Sequence, residues 1–481
     1  MGQARWLQAA ALGVVLLSSD LAQAKQRFVL ATGRRDPRIY AIDLDQALKS
    51  KNNNTPNAIV SRSLVNPRRL DGTRLGDPAN IVLSEDGKTA FVMNHHGAVV
   101  NAEFLQHGGR ANIAVMDVRR MVQRELDDTD AALEHNFDVG WFGGVGVLVI
   151  PGFIIAGSSE GWLTEDGSNR IGLLDRATGG LRGQIEMALV GPGTRQLRGN
   201  CVSSPVPFVS PTPPPFASPH PQIPPGEAFL SDPPPDGDPQ DFGCWPDPEG
   251  LALGKGSDGK TYLISGNGGT EDVSIMDLGA ALRGQRVVEV APRIPVQIGP
   301  FGIRASPNGK FVAVTARESN ITGKEGNTIS IIDVDLARQG KPGAEAARVR
   351  VGTDDPNGEA RPFTVSWTPD GRRIVVANFR TNNVSIVDLQ TALVHPASAE
   401  IARIPLVRAD GAPSRPKGTF VTADGRLAVV TGGANTLAQS STTATGTVFV
   451  IDLRTNTRVA TVTGVGIDPY NLVVAEDVDD D

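Results

Sequence analysis

Residues 362–389 read PFTVSWTPDGRRIVVANFRTNNVSIVDL, and this stretch decides the fold. An apolar run opens on Pro362 and stops at Asp370-Gly371, a pair that tolerates positive φ and therefore forms tight hairpin turns. Ile374 to Ala377 is a second apolar run. Val384 to Val387 is a third, ending on Asp388. The runs are rich in β-branched residues and too short for helices, so they predict antiparallel strands.

Working outward, the Pro-led hairpin recurs as Pro78 to Val92 around Asp86-Gly87, Pro300 to Val314 around Asn308-Gly309, and Pro416 to Val430 around Asp424-Gly425. A slightly stretched copy runs from Pro248 to Ile264 around Asp258-Gly259. The third strand recurs with its terminal aspartate at Asp43, Asp117, Asp175, Asp277, Asp333, Asp388 and Asp452, at spacings of 74, 58, 102, 56, 55 and 64 residues. The Asp175 copy is degenerate, with Arg176 in the apolar place. The unit is strand a, tight turn, strand b, loop, strand c with its Asp, then strand d, which is a propeller blade. Each aspartate is expected to accept backbone N–H groups at the turn that follows.

Seven units predict an all-β, seven-bladed β-propeller over 25–476, with a weak third blade around Val145 to Ala156. The ends predict how it closes. Gln26 to Thr32 reads as a strand b with no strand a before it, and Asp468 to Val474 reads as a strand a with nothing after it. The C-terminal strand is therefore expected to complete the first blade and leave no open sheet edge.

Arg373-Ile374-Val375-Val376-Ala377-Asn378 with Asn383-Val384-Ser385-Ile386-Val387-Asp388 resembles the YVTN β-propeller repeat. The likeness is good over 250–481, fair over 26–118 and weak over 119–247. It implies a propeller and little about activity, because one scaffold hosts many functions.

The 481 residues carry a net charge of -7, which argues against a nucleic-acid partner. Arg5, the apolar stretch Trp6 to Leu17 and Ala22-Gln23-Ala24 read as a signal peptide over 1–24. The expectation is a periplasmic or secreted chain without a membrane span after cleavage. Cys201 and Cys244 then suggest one disulfide, worth about 4 kcal/mol by loop-closure entropy. No CxxCH haem site occurs. Asp477 to Asp481 is an acidic tail.

Three stretches depart from the repeat. They are 94–111 between strands b and c of blade 2, a helix-like then Gly-rich 119–146, and a Pro-rich segment at about 185–246 that holds both cysteines near its margins. In a propeller the b-to-c and d-to-a connections leave one face, so all three are predicted to decorate the same face. Loops on a rigid scaffold are where binding usually lives.

The residues before the strand-a prolines should line the central funnel on that face: Asp77, Asp247, Gly299, Arg361, Arg415 and Asp468. Glu249, Arg304 and Lys417 follow shortly after a proline and could join them. Paired arginines suit a carboxylate or phosphate, while the bland alternative is a ring of solvated or mutually paired charges. His95, His96 and His107 could ligate copper or zinc, although adjacent histidines in an extended segment point opposite ways. No nucleophile elbow, P-loop or dinucleotide fingerprint sits in its required context. Gly266-Asn267-Gly268-Gly269 reads as a turn. The expectation is a non-catalytic binding or scaffold protein that takes a protein partner or small polar ligand on its decorated face, with no cofactor. The alternative is a funnel-centred enzyme, either a lactonase-like hydrolase or a metal-dependent oxidoreductase.

Overall fold

Along a strand, successive side chains point to opposite faces. In this chain both faces are apolar, so every sheet must be covered on both sides. The computed structural model meets that demand with seven four-stranded antiparallel sheets. It describes residues 26–34, 36–50, 56–66, 76–95, 111–139, 145–158, 170–187, 246–319, 324–408, 410–433 and 446–478. In blade 1, Phe28 and Leu30 pack toward blade 2, while Val29 and Ala31 pack toward blade 7. The same alternation builds apolar seams between blades 2 and 3, 3 and 4, 4 and 5, 5 and 6, and 6 and 7. A one-residue register slip would move each strand's side chains into the wrong seam.

Strand a is innermost in each blade. It is Pro78–Leu83 in blade 2, Val147–Ile150 in blade 3, Pro248–Lys255 in blade 4, Pro300–Ala305 in blade 5, Pro362–Trp367 in blade 6 and Pro416–Val421 in blade 7. Blade 1 takes its strand a, Leu472–Glu476, from the other end of the chain, paired antiparallel to Arg27–Thr32. Thr32 N donates to Asn471 O at 2.9 Å to seal that closure. The weak third blade is real, with Val147–Ile150 and Phe153–Gly157 as its strands a and b.

The repeated residues have repeated jobs. At the a–b turns, Ser84, Ser306, Thr368 and Thr422 hydroxyls donate to Asp86, Asn308, Asp370 and Asp424 at 2.5–2.8 Å. The glycines that follow have φ of 71, 72, 69 and 68°, where a side chain would be strained. The aspartates ending strand c accept backbone N–H groups as expected. Asp43, Asp117, Asp277, Asp333 and Asp388 each cap a one-turn helix between strands c and d. Asp175 and Asp452 cap turns instead.

One expected insertion is corrected. Residues 119–138 are not an addition between blades 2 and 3. They are blade 2's own c–d connection, with a short helix at Val118–Met121, followed by its strand d at Leu133–Asp138. A c–d connection leaves the tight-turn face, so only the end of that stretch, from 139 onward, belongs to the decorated face. Likewise, Leu181–Glu186 is strand d of blade 3, so the third departure starts after it. The other two departures keep their place: strands end at Asn94 and resume at Asn112, and end at Glu186 and resume at Pro248. The signal peptide, Cys201, Cys244, His96, His107 and the last residues of the acidic tail lie outside the described residues. Among the described residues no helix is long and apolar enough to cross a membrane.

Candidate functional site on the funnel axis

The residue after each strand-a proline faces the axis, so the blades jointly build one layer. That layer holds Ala79, Glu249, Phe301, Phe363, Lys417 and Tyr470. Phe301, Phe363, Phe379 and Tyr470 form its aromatic centre with Ala79 and Val145. Phe363 lies edge-on to Phe301 at 4.8 Å and to Tyr470 at 5.0 Å between centroids, favourable geometry for rings with negative faces and positive edges.

Cations cover this floor on the side of the b–c and d–a connections. Arg34 lies 4.2 Å over Tyr470, and Arg317 lies 4.2 Å over Phe301. Arg361, Arg415 and Lys417 lie 4.9, 5.1 and 5.4 Å from the centre of Phe379. Desolvated cation–ring contacts contribute roughly 1–2 kcal/mol each.

The backbone that carries them is strained and pinned. Asp247, Arg361 and Arg415, each just before a proline, have φ of 57, 51 and 45°. This left-handed conformation costs a side-chain-bearing residue on the order of 1–3 kcal/mol. Neighbouring loops hold it: Phe379 N donates to Arg361 O at 3.0 Å, Gly268 N to Asp247 O at 3.0 Å, and Arg415 N to Asn382 Oδ1 at 2.9 Å. In blade 5 the equivalent place is Gly299, where a Cβ would sit 1.6 Å from Glu318 O. That closeness excludes any side chain there.

The charges are unevenly balanced. Arg361 pairs with Glu318 and, at 2.8 Å, with Glu325. Arg380 grips the same Glu325 with two bonds of 2.6 Å. Lys417 and Asp468 form an ion pair with side-chain exposures of 3% and 0%. Burial pulls the Lys417 ammonium down to about 8 against the attraction of Asp468. Arg34 stands 3.5 Å from Asp77. Among the described residues Arg415 forms no ion pair, and burial with its neighbours Arg380 and Arg361 pulls its pKa below the ordinary arginine value against the more distant attraction of Glu325 and Asp468.

Of the residues singled out in sequence, Asp77, Asp247, Glu249, Arg361, Arg415, Lys417 and Asp468 do gather at this end of the axis. Arg304 does not. Four residues beyond Pro300, it has passed the aromatic layer toward the tight-turn face. His95 is buried, and among the described residues no cluster of three metal-ligating side chains exists. Sequence reading missed Arg34, Arg317, Glu318, Glu325 and Arg380, which come from b–c connections of no fixed length. It also missed Phe301, Phe363 and Tyr470, although their recurrence directly after a proline is a visible signal.

No protein-family model matches the chain, and no curated protein matches its sequence. Solved propellers do match its shape. The periplasmic gluconolactonase of Pseudomonas aeruginosa has a TM-score of 0.54 at 13% identity, covering 94% of this chain and 99% of its own. A Bacteroides fragilis protein carrying the name 6-phosphogluconolactonase has a TM-score of 0.53 at 13% identity, covering 95% of this chain and 99% of its own. At such identities the likeness shows the fold alone.

Proposed function

We propose that this chain is an exported propeller that binds a small anionic ligand, carboxylate or phosphate, at the axial end of its insertion-bearing face, as a binding rather than a catalytic protein. The observation that carries this reading is Arg415. It is a cation fixed by a strained backbone, stacked on Phe379 and flanked by Arg361 and Arg380, with no carboxylate partner among the described residues. A partly buried charge without a partner is costly, and an arriving anion supplies the missing charge through the planar guanidinium fork. Arg361 and Arg380, already paired with Glu318 and Glu325, keep the site net positive without being free to collapse onto the ligand. Strand b of blade 2 and strand d of blade 3 end on this same face, at Asn94 and Glu186.

The names of the structural neighbours suggest a second reading, lactone opening in the same funnel, whose acid product the same arginines would hold. A panel of carboxylates and phosphates titrated by calorimetry tests the first reading. Binding that falls at least about tenfold in Arg415→Ala supports it, because a charge-assisted hydrogen bond contributes about 1.5–3 kcal/mol. Equal affinity in that variant would defeat it. Turnover of a sugar lactone by pure protein would replace binding with catalysis.

A further inference from the structure

Arg361 and Arg415 share a strained conformation but are pinned in it by different means. In blade 6 the pin is main chain: Arg361 N donates to Gly326 O at 2.8 Å, and Arg361 O accepts from Phe379 N at 3.0 Å. In blade 7 the pin is a side chain. Arg415 N donates to Asn382 Oδ1 at 2.9 Å, and Ser414 Oγ reaches the same oxygen at 3.5 Å. The other end of that amide is engaged as well, since Asn382 Nδ2 donates to Arg380 O at 3.1 Å. One side chain thus ties the main chain of Arg380 to that of Arg415.

Asn382 starts from a fixed main chain, with φ of 55° and its carbonyl accepting from Leu406 N at 2.9 Å. Asparagine and aspartate both tolerate this left-handed conformation. An aspartate would accept from Arg415 N equally well. It would also set a carboxylate beside two arginines, as Glu318 and Glu325 are set beside Arg361. The amide does two things that an acid cannot: it donates to Arg380 O, and it adds no charge next to Arg415.

We propose that Asn382 is the positioning residue of the rim site, fixing where Arg415 stands and keeping its guanidinium available to an anion. The proposal rests on the reading of Arg415 as the residue that meets the ligand. Asn382 acts through Arg415, without touching the ligand.

The probes are inorganic phosphate and acetate, titrated by calorimetry into the full chain. Asn382→Ala should lower affinity about tenfold, the low end of what losing a partner behind a binding group costs. In a chain that already carries Arg415→Ala it should lower affinity little further. A merely structural role would lower the melting temperature and leave affinity alone, or cost the same in both backgrounds, and either result overturns the proposal. Asn382→Asp keeps the bond to Arg415 N, so it should melt close to the unmodified chain. It should still lose affinity at least as strongly as Asn382→Ala, because the new carboxylate competes with the anion. Asn382→Gly adopts the same φ without strain and should lose affinity like Asn382→Ala, which gives a reading if the alanine chain fails to fold. Unchanged affinity in Asn382→Asp or Asn382→Gly, where Arg415→Ala does lose binding, overturns this proposal alone. If both probes bind the unmodified chain and Arg415→Ala equally, or bind neither, the reading of Arg415 has failed and this proposal falls with it.

Discussion

Arg361 and Arg415 hold the same place in neighbouring blades, with φ of 51 and 45°, and both stack on Phe379. One pairs with two carboxylates and the other forms no ion pair among the described residues. The difference lies in the b–c connection of the preceding blade. Before Arg361 stands the connection between Phe311–Ala316 and Thr328–Asp333, which carries Glu318 and Glu325. Before Arg415 stands only Phe379-Arg380-Thr381-Asn382, which offers the backbone an amide oxygen and the guanidinium a second positive charge. The repeat thus sets where a rim residue sits, and a loop outside the repeat sets its charge balance.

Lys417, two residues past Arg415, gives the largest way to break this picture. Lys417→Met would remove the cation that pairs with the fully buried Asp468 carboxylate, and unfolding free energy should fall by about 4 kcal/mol in denaturant titrations. A companion Asp468→Asn should recover much of that loss. The pH dependence is the sharper reading. The Lys417 ammonium is held down at about 8 in the folded chain, below its ordinary value of 10.5. Between those values the unfolded chain binds more protons, so this group makes stability rise with pH across the window. Lys417→Met should flatten that rise, and an unchanged profile would mean that burial does not lower the pKa of the lysine.

Arg361→Ala comes next. It strips Glu318 and Glu325 of one cation, with Arg380 still facing Glu325, so a loss of about 3 kcal/mol is expected, at the low end for a broken buried pair. If Arg361→Ala proved no more damaging than Arg415→Ala, the contrast between the two rims would collapse.

What the sequence showed and hid follows the same division. The Pro-led hairpins, Asp-Gly turns and terminal aspartates were legible because turn chemistry and period-2 packing are local. Closure was legible because a strand a missing at Arg27 reappears at Leu472. The pre-proline rim was legible from the repeat too, since position in a propeller fixes direction. Pairing was not: Glu318 and Glu325 reach Arg361 from 43 and 36 residues away across a blade boundary. The misplaced Arg304 shows the limit within a single strand, where three residues past Phe301 carry a side chain beyond the aromatic layer. The helix-like reading of the start of 119–146 was half right. A helical turn does start there, but the cap at Asp117 supports only Val118–Met121 before the chain turns back into strand d.

Arg415→Gly sharpens the comparison with a smaller and opposite pair of effects. Glycine adopts φ near 45° without strain, so stability should hold or rise by up to about 1 kcal/mol. Anion affinity should nonetheless fall about tenfold. A residue kept in a strained conformation at no benefit to folding points to binding, and a Gly variant that retained affinity would remove that argument.

The smallest expected effect comes from the recurring element of the blades themselves. Asp388 Oδ1 accepts from Thr391 N at 2.8 Å and from Thr391 Oγ1 at 2.7 Å, capping the one-turn helix Leu389–Val394 on the tight-turn face. Asp388→Ala removes one cap and should cost about 1 kcal/mol, the usual value for an N-cap. Because this cap and the funnel mouth lie at opposite ends of the blade, ligand affinity should not change. A matched loss of affinity would show that the two faces are coupled through the strands, and that the rim arginines are placed by the whole blade rather than by the loops beside them.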